Sequence, residues 1–151
     1  MIRITRISNL RNMGNWKEEF DEVWAIVRSL KTPIDGVIQV PELSPSTDLF
    51  WRYRALANAG NWNSDTFKEI YVPQFLAEMT GKSARKKLAY LYDAEKKEGK
   101  KICLLCFCTD ETTCHRSIIA GILQAVGMDV VLDTQNDYSA YYQDYLDIMR
   151  N

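Results

Sequence analysis

The stretch KKICLLCFCTDETTCHRSIIAGILQAVG, residues 100–127, decides the fold. Its first part, residues 100–108, continues from two lysines into an unbroken apolar run that ends in a polar loop, which is typical of a central strand covered on both faces. Its last part has apolar residues at helical spacing and ends at Gly127, a favourable C-terminal cap. The stretch therefore predicts a buried strand, a loop and a helix.

Weaker patterns upstream predict further elements. MIRITRIS at 1–8 alternates apolar and polar residues, as a half-buried strand does. Apolar residues recur at helical spacing over 16–30, which predicts a helix with Asn15 as its cap. DGVIQV at 35–40 predicts a short buried strand introduced by a turn.

Helical patterns dominate the middle of the chain. Ser46 can cap a helix over 47–58, and two further helical patterns cover 64–79 and 83–98. Pro73 lies inside the second of these patterns and predicts a kink or break there.

After the central stretch, MDVVLD at 128–133 predicts a last short strand. Tyrosines at i, i+3, i+4 and i+7 then indicate one face of a C-terminal helix over 138–150, which we expect to be a core or interface face. These tyrosines are Tyr138, Tyr141, Tyr142 and Tyr145.

Strands that alternate with helices predict a single three-layer α/β domain over 1–151, with a mostly parallel sheet and helices on both faces, Rossmann-like in architecture. In such sheets, ligands bind beyond the carboxyl ends of the strands. PELSPS at 41–46 and CTDETTCHR at 108–116 are both strand-to-helix loops. We therefore expect them to meet at one edge of the sheet and to form a crevice.

Composition narrows the possible partners. The 19 basic residues are balanced by 20 acidic ones, so net charge does not indicate a nucleic-acid partner. FWRYR at 50–54 nevertheless interleaves aromatic and basic residues, as a base-stacking surface would. The sequence has no signal-peptide pattern and no apolar run long enough for a membrane span, which predicts a cytoplasmic protein without a membrane partner. Nothing in it indicates an oligomeric state.

All four cysteines lie between 103 and 114, and the only histidine follows them. Strand alternation puts Cys103 on the opposite face from Cys106 and Cys108, as a core residue. A disulfide is disfavoured, because cytoplasmic thiols stay reduced.

The cluster contains four potential zinc ligands, namely Cys106, Cys108, Cys114 and His115. A straight strand separates alternate Cα atoms by about 6.6 Å, whereas sulfurs on one zinc lie about 3.7 Å apart. A zinc site would therefore need a bend after Phe107. No cofactor is predicted, and zinc remains an alternative.

Cys114 lies where the loop enters the helix, so the helix N-terminus and neighbouring positive charges can favour its thiolate. We interpret Cys114 as a reactive thiol, His115 as an acid or base, and Arg116 as a clamp for an anion. Because adjacent residues of a helix do not face each other, the base for Cys114 could instead be Asp110 or Glu111. The predicted ligand-binding residues are Ser44, Ser46, Cys106, Cys108, Asp110 and Arg116.

The segment LLCFCTDETTCHRSIIAGIL resembles the Leu-Leu-Cys and Cys-His-Arg signature of the domain of unknown function 488 family, in its Cys-His-Arg branch. The opening IRITRIS and the loop VPELSPSTDLFWRYR also resemble that family, and the resemblance extends over about residues 1–132. Cys106 then matches the cysteine that closes the strand, and Ser46 matches the serine of a Pro-Ser motif. Cys108 stands where the family more often has a glutamate.

These patterns favour a small enzyme that uses the Cys-His-Arg residues in a strand-to-helix crevice. Its ligand would be a phosphate-bearing or otherwise anionic small molecule, such as a nucleotide. A second hypothesis is a non-catalytic module that binds a nucleotide or nucleic acid in the same crevice. A third is a structural zinc site formed by the cysteines and the histidine.

Overall fold

The computed structural model describes residues 1–151. Five parallel strands form one sheet in the order β3-β2-β4-β1-β5. The strands are β1 (Ile2–Arg6), β2 (Glu22–Ala25), β3 (Ile38–Gln39), β4 (Ile102–Cys106) and β5 (Val130–Val131).

Seven helices surround the sheet. Short 3₁₀ turns follow β1, β3 and β4, at Ile7–Asn12, Pro41–Leu43 and Glu111–Thr113. The helices are α1 (Trp16–Glu19), α2 (Thr47–Asn58), α3 (Ser64–Thr66), α4 (Val72–Met79), α5 (Lys82–Lys96), α6 (His115–Ala125) and α7 (Tyr141–Arg150). None of them is long and apolar enough to cross a bilayer.

Strand β4 lies at the centre of the sheet, and all five of its residues are buried. Its side chains alternate between two cores. Ile102, Leu104 and Cys106 join a large core of 30 buried residues, whereas Cys103 and Leu105 join a small core of five on the other face. The predicted three-layer α/β fold with a parallel sheet is confirmed, and so is Cys103 as a core residue facing away from Cys106.

The three inner strands start level with one another. Ile2 of β1 and Glu22 of β2 both pair with Ile102 of β4. Because all the strands are parallel, their carboxyl ends reach the same edge of the sheet. The loops that follow β2, β3 and β4 therefore converge there.

The predicted helix over 16–30 is wrong. Only α1, Trp16–Glu19, is helical, and the chain then enters β2 at Glu22. Val23 lies in the small core, and Trp24 lies in the large one. A strand buried on both faces has no apolar alternation, so its apolar run also satisfies a helical period.

Two other segments differ from their predictions. β3 exists, but it is an edge strand, and its Ile38 is 50% exposed where a buried strand was predicted. The C-terminal helix begins at Tyr141 rather than at 138.

The predicted break at Pro73 is present as a π-helical segment just before the proline. Residues Phe67–Tyr71 form a π-helical segment, and the N–H of Val72 donates to the carbonyl oxygen of Phe67. Proline has no N–H to offer the preceding turn, so the irregularity falls just before Pro73. Helix α2 has the predicted bounds, with the Ser46 hydroxyl accepting a hydrogen bond from the N–H of Leu49 at 3.1 Å.

Candidate functional site

A cavity of about 320 Å³ opens where β2, β3 and β4 end. Both predicted loops contribute to it, Pro45 from PELSPS and Cys114 from CTDETTCHR, so the expected crevice is present. The lining residues are Val27, Arg28 and Ser29 after β2; Pro45 after β3; Phe50, Tyr53, Trp62 and Tyr71 from the α2–α4 region; and Phe107, Cys108, Thr113, Cys114 and His115 after β4.

Aromatic rings form much of the cavity wall. Trp62 packs edge to face against Tyr53, with ring centroids 4.7 Å apart, and against Tyr71 at 5.7 Å. Edge-to-face packing fixes ring orientation, because each positive ring edge meets a negative ring face. The cavity therefore presents rigid, flat apolar surfaces.

The sulfurs of three cysteines lie close together next to the cavity. β4 ends at Cys106 and the chain bends at Phe107, which leaves the phenyl ring of Phe107 54% exposed. The bend brings Cys108 back toward Cys106, and the sulfurs of Cys106, Cys108 and Cys114 all lie within 4.8 Å of one another. A metal ion bound by both Cys106 and Cys108 requires such a bend. None of the three cysteines forms a disulfide.

Arg116, in the first turn of α6, holds this cluster together. Its guanidinium is buried, with Nη1 donating to Cys106 Sγ at 3.0 Å and to the carbonyl oxygen of Cys108 at 2.6 Å. Nη2 lies 4.0 Å from a carboxylate oxygen of Asp133. Arg116 does not line the cavity. Its hydrogen bonds stabilise the cysteine cluster, and none of them is directed toward a cavity ligand.

Cys106 is the thiol best placed to ionise. Hydrogen bonds from Cys108 and from Cys114, whose sulfur lies 3.4 Å away, lower the pKa of Cys106, and the charge of Arg116 acts in the same direction. Burial opposes this effect but does not overcome it. Donation to Cys106 raises the pKa of Cys108 to about 12.

Cys114 behaves in the opposite way from the sequence-based expectation. The helix N-terminus was expected to favour its thiolate, but complete burial, together with the nearby charge of Cys106, raises the pKa of Cys114 well above the usual range. Desolvation disfavours any charged form, and here it outweighs the helix dipole. Of the three thiols, Cys106 is therefore the one whose ionised form the surroundings favour most.

His115 lies closer to Cys114 than the sequence implied. Its Nδ1 is 3.6 Å from Cys114 Sγ, because Cys114 has extended backbone angles and only His115 begins the helix. Nε2 lies 2.8 Å from the carbonyl oxygen of Ile26. Since a carbonyl can only accept, Nε2 carries the proton and Nδ1 keeps its lone pair toward Cys114. Burial lowers the pKa of His115, which favours this neutral form.

The carboxylates suggested as alternative bases have other partners. Asp110 caps the 3₁₀ turn through the N–H and the hydroxyl of Thr112. Glu111 is buried and accepts hydrogen bonds from Tyr138 and Thr134. Neither carboxylate lines the cavity.

The two predicted serines are also engaged within the protein. The hydroxyl of Ser44 donates to the carbonyl oxygen of Pro41 at 2.6 Å. Ser46 caps α2, and both its N–H and its hydroxyl donate to the carboxylate of Glu78. Pro45, between the two serines, is the residue of this loop that reaches the cavity.

Sequence reasoning missed the residues that follow β2. Arg28 and Ser29 are exposed at the cavity, and Val27 is buried beside them. They were overlooked because 16–30 was interpreted as one helix. A strand interpretation of the apolar run before Arg28 would have placed them at the carboxyl end of a parallel strand, where ligands bind.

A family comparison covers most of the chain. A sequence model of DUF488-N3a, described as the active DUF488-N3 subclade, matches residues 8–127. The chain therefore belongs to the domain of unknown function 488 family, as the resemblance of its sequence led us to expect. Comparisons with curated proteins and with solved structures give no significant match.

Proposed function

We propose that this protein is a cysteine-dependent enzyme that acts on a nucleotide or a similar anionic molecule with a planar ring. One observation carries the proposal: Cys114 and His115 line a cavity that five aromatic side chains also line. A planar base fits between such walls, since stacking on aromatic side chains contributes about 1–3 kcal/mol per base.

Arg28 would bind the anionic part of the ligand. It is exposed at the cavity and has no ion-pair partner within the protein. Ser29 beside it offers a hydroxyl and a backbone N–H. A guanidinium binds a phosphate through two parallel hydrogen bonds, so these residues suit a phosphate at the mouth of the cavity while the ring lies inside.

Cys114 would be the nucleophile and His115 the acceptor of its proton. Because burial raises the pKa of Cys114 well above the usual range, the proton would leave as the sulfur attacks rather than before the attack. In this step the S–H bond of Cys114 breaks and a bond forms between its sulfur and an electrophilic atom of the ligand, while the bond from that atom to a leaving group breaks. The leaving group takes the electron pair of that bond, and the thiol proton moves to Nδ1 of His115. Arg116 would position the cluster around the reacting sulfur through its hydrogen bonds to Cys106 Sγ and to the carbonyl oxygen of Cys108.

Calorimetric titration with nucleoside 5′-monophosphates and with ribose 5-phosphate tests the ligand class. We expect the nucleotides to bind and the sugar phosphate, which lacks a base, to bind at least about tenfold more weakly, the effect of 1.4 kcal/mol of lost stacking. Arg28→Ala should weaken nucleotide binding about fivefold, in line with about 1 kcal/mol for an exposed ion pair.

Arg54→Ala is the matched control, because Arg54 is also exposed but does not line the cavity. Its affinity should equal that of the unmodified protein. Equal binding of the nucleotides and ribose 5-phosphate, or equal effects of the two arginine substitutions, would rule out this binding mode.

A non-catalytic module that binds single-stranded nucleic acid is the second candidate. The exposed rings of Trp51 and Phe107, 62% and 54% accessible, favour it, because flanking bases could stack on them. Trp51 lies outside the cavity, whereas Phe107 lines it. In that case, Trp51→Ala would weaken oligonucleotide binding while leaving mononucleotide binding unchanged. Cys114→Ser would change neither oligonucleotide binding nor mononucleotide binding.

A further inference from the structure

We propose that Cys106, Cys108 and Cys114 bind one Zn²⁺ ion through their three sulfurs. This site goes beyond the proposed function, since it needs no organic ligand and no reaction. Two of the three cysteines, Cys108 and Cys114, line the cavity, whereas Cys106 lies behind them. A metal held by the three sulfurs would therefore be reachable from solvent through the cavity.

The spacing of the sulfurs fits a metal. Tetrahedral zinc, with Zn–S bonds of about 2.3 Å, places its sulfur ligands about 3.7 Å apart. Cys106 Sγ and Cys114 Sγ lie 3.4 Å apart, and Cys108 Sγ completes a group within 4.8 Å. Small side-chain rotations would equalise these distances.

The charge of the cluster favours a divalent ion over a monovalent one. Three thiolates carry three negative charges, which a divalent ion and the buried Arg116 cancel together. A monovalent soft ion such as Cu⁺ would leave one uncompensated negative charge in a buried position, where charge is costly. Arg116 already donates to Cys106 Sγ at 3.0 Å, as an outer partner of a metal-bound thiolate does.

The fourth zinc ligand would be a water molecule from the cavity. His115 is not among the group of ligand atoms that lie within 4.8 Å of one another, although its Nδ1 is close to Cys114. Three protein ligands and an open position are the arrangement of an accessible zinc site rather than a closed structural one. Bound zinc would also remove Cys114 from thiol chemistry, so the metal and the covalent step exclude each other.

Cobalt titration of the metal-free, reduced protein tests the site, because Co²⁺ in a tetrahedral thiolate site has intense visible and sulfur-to-metal charge-transfer bands. We expect one equivalent of Co²⁺ to give this spectrum and Zn²⁺ to abolish it. Cys108→Ser should weaken binding at least about tenfold, because even outer-shell changes cost 10- to 100-fold in metal affinity. Cys103→Ala is the matched control, since Cys103 is buried on the opposite face of β4, and it should leave affinity unchanged.

X-ray absorption of the zinc-loaded, unmodified protein gives the ligand count without any substitution. Three sulfur ligands and one oxygen or nitrogen ligand are expected. A spectrum without sulfur ligands, no thiolate bands with cobalt, or an equal loss of affinity in Cys103→Ala would overturn the site. None of these measurements uses a nucleotide, so the zinc site and the proposed enzymatic function can fail separately.

Discussion

The structure changes the interpretation of Arg116 more than that of any other predicted site residue. Next to Cys114 and at the start of a helix, it is expected from the sequence to hold a ligand. Burial of the first turn of α6 instead directs its guanidinium to Cys106 and Cys108. The sequence could place Arg116 beside the cysteine loop, but it could not show that the bend at Phe107 brings the acceptors inside the protein.

This arrangement predicts that Arg116→Met destabilises the fold. Removing one partner of a buried charged pair costs about 3 kcal/mol or more, because the remaining charge is uncompensated. We therefore expect the free energy of unfolding, measured by urea denaturation, to fall by about that amount. Arg54→Met, at an exposed position, should change it by no more than about 0.5 kcal/mol. Similar effects of the two substitutions would contradict the role assigned to Arg116.

At the scale of elements, α6 connects the cysteine cluster to the rest of the protein. Residues from His115 to Leu123 are all buried, and α6 packs against α4 and α7. Gly121 permits the close approach of the segment before α7: a Cβ added there would lie 2.1 Å from the carbonyl oxygen of Tyr138. The φ of Gly121 is not positive, so its backbone conformation does not itself require glycine. The close contact with Tyr138 is what requires it.

Gly121→Ala should therefore destabilise the protein by at least about 2 kcal/mol, because backbone must move to relieve the overlap. Gly81→Ala is a suitable comparison, since Gly81 caps α5 with an ordinary φ of −64° and a Cβ there would lie 3.2 Å from its nearest neighbour. Thermal unfolding of both variants measures the difference. A smaller loss in Gly121→Ala than in Gly81→Ala would contradict the packing described for α6.

Elements with one strong signal were predictable from the sequence. β4 and α6 are marked by an unbroken apolar run and by a capped helical period, and α2 is marked by its Ser46 cap. β2 was not predictable by the same reasoning, because a strand buried on both faces and a buried helix share the same apolar composition. That single error also concealed Arg28 and Ser29.

At the scale of the whole molecule, the parallel sheet positions the loops that form the cavity. Loops distant in the sequence meet because β2, β3 and β4 all end at one edge. The sequence predicted this meeting for the loops at 41–46 and 108–116. It did not predict the aromatic wall, because Trp62 lies in the turn between α2 and α3 and Tyr71 ends the π-helical segment between α3 and α4, which local patterns do not encode.

The measurement that most directly tests the central claim is the rate of alkylation at each cysteine of the metal-free, reduced protein, resolved by peptide mass spectrometry. We predict that iodoacetamide modifies Cys108 and Cys114, which line the cavity, and that a nucleoside monophosphate slows modification of Cys114. Cys103 should stay unmodified until the protein unfolds, because it is fully buried on the opposite face of β4 and does not line the cavity. Modification of Cys114 only after unfolding, or at a rate that the nucleotide does not change, would contradict a reactive thiol in a nucleotide-binding cavity.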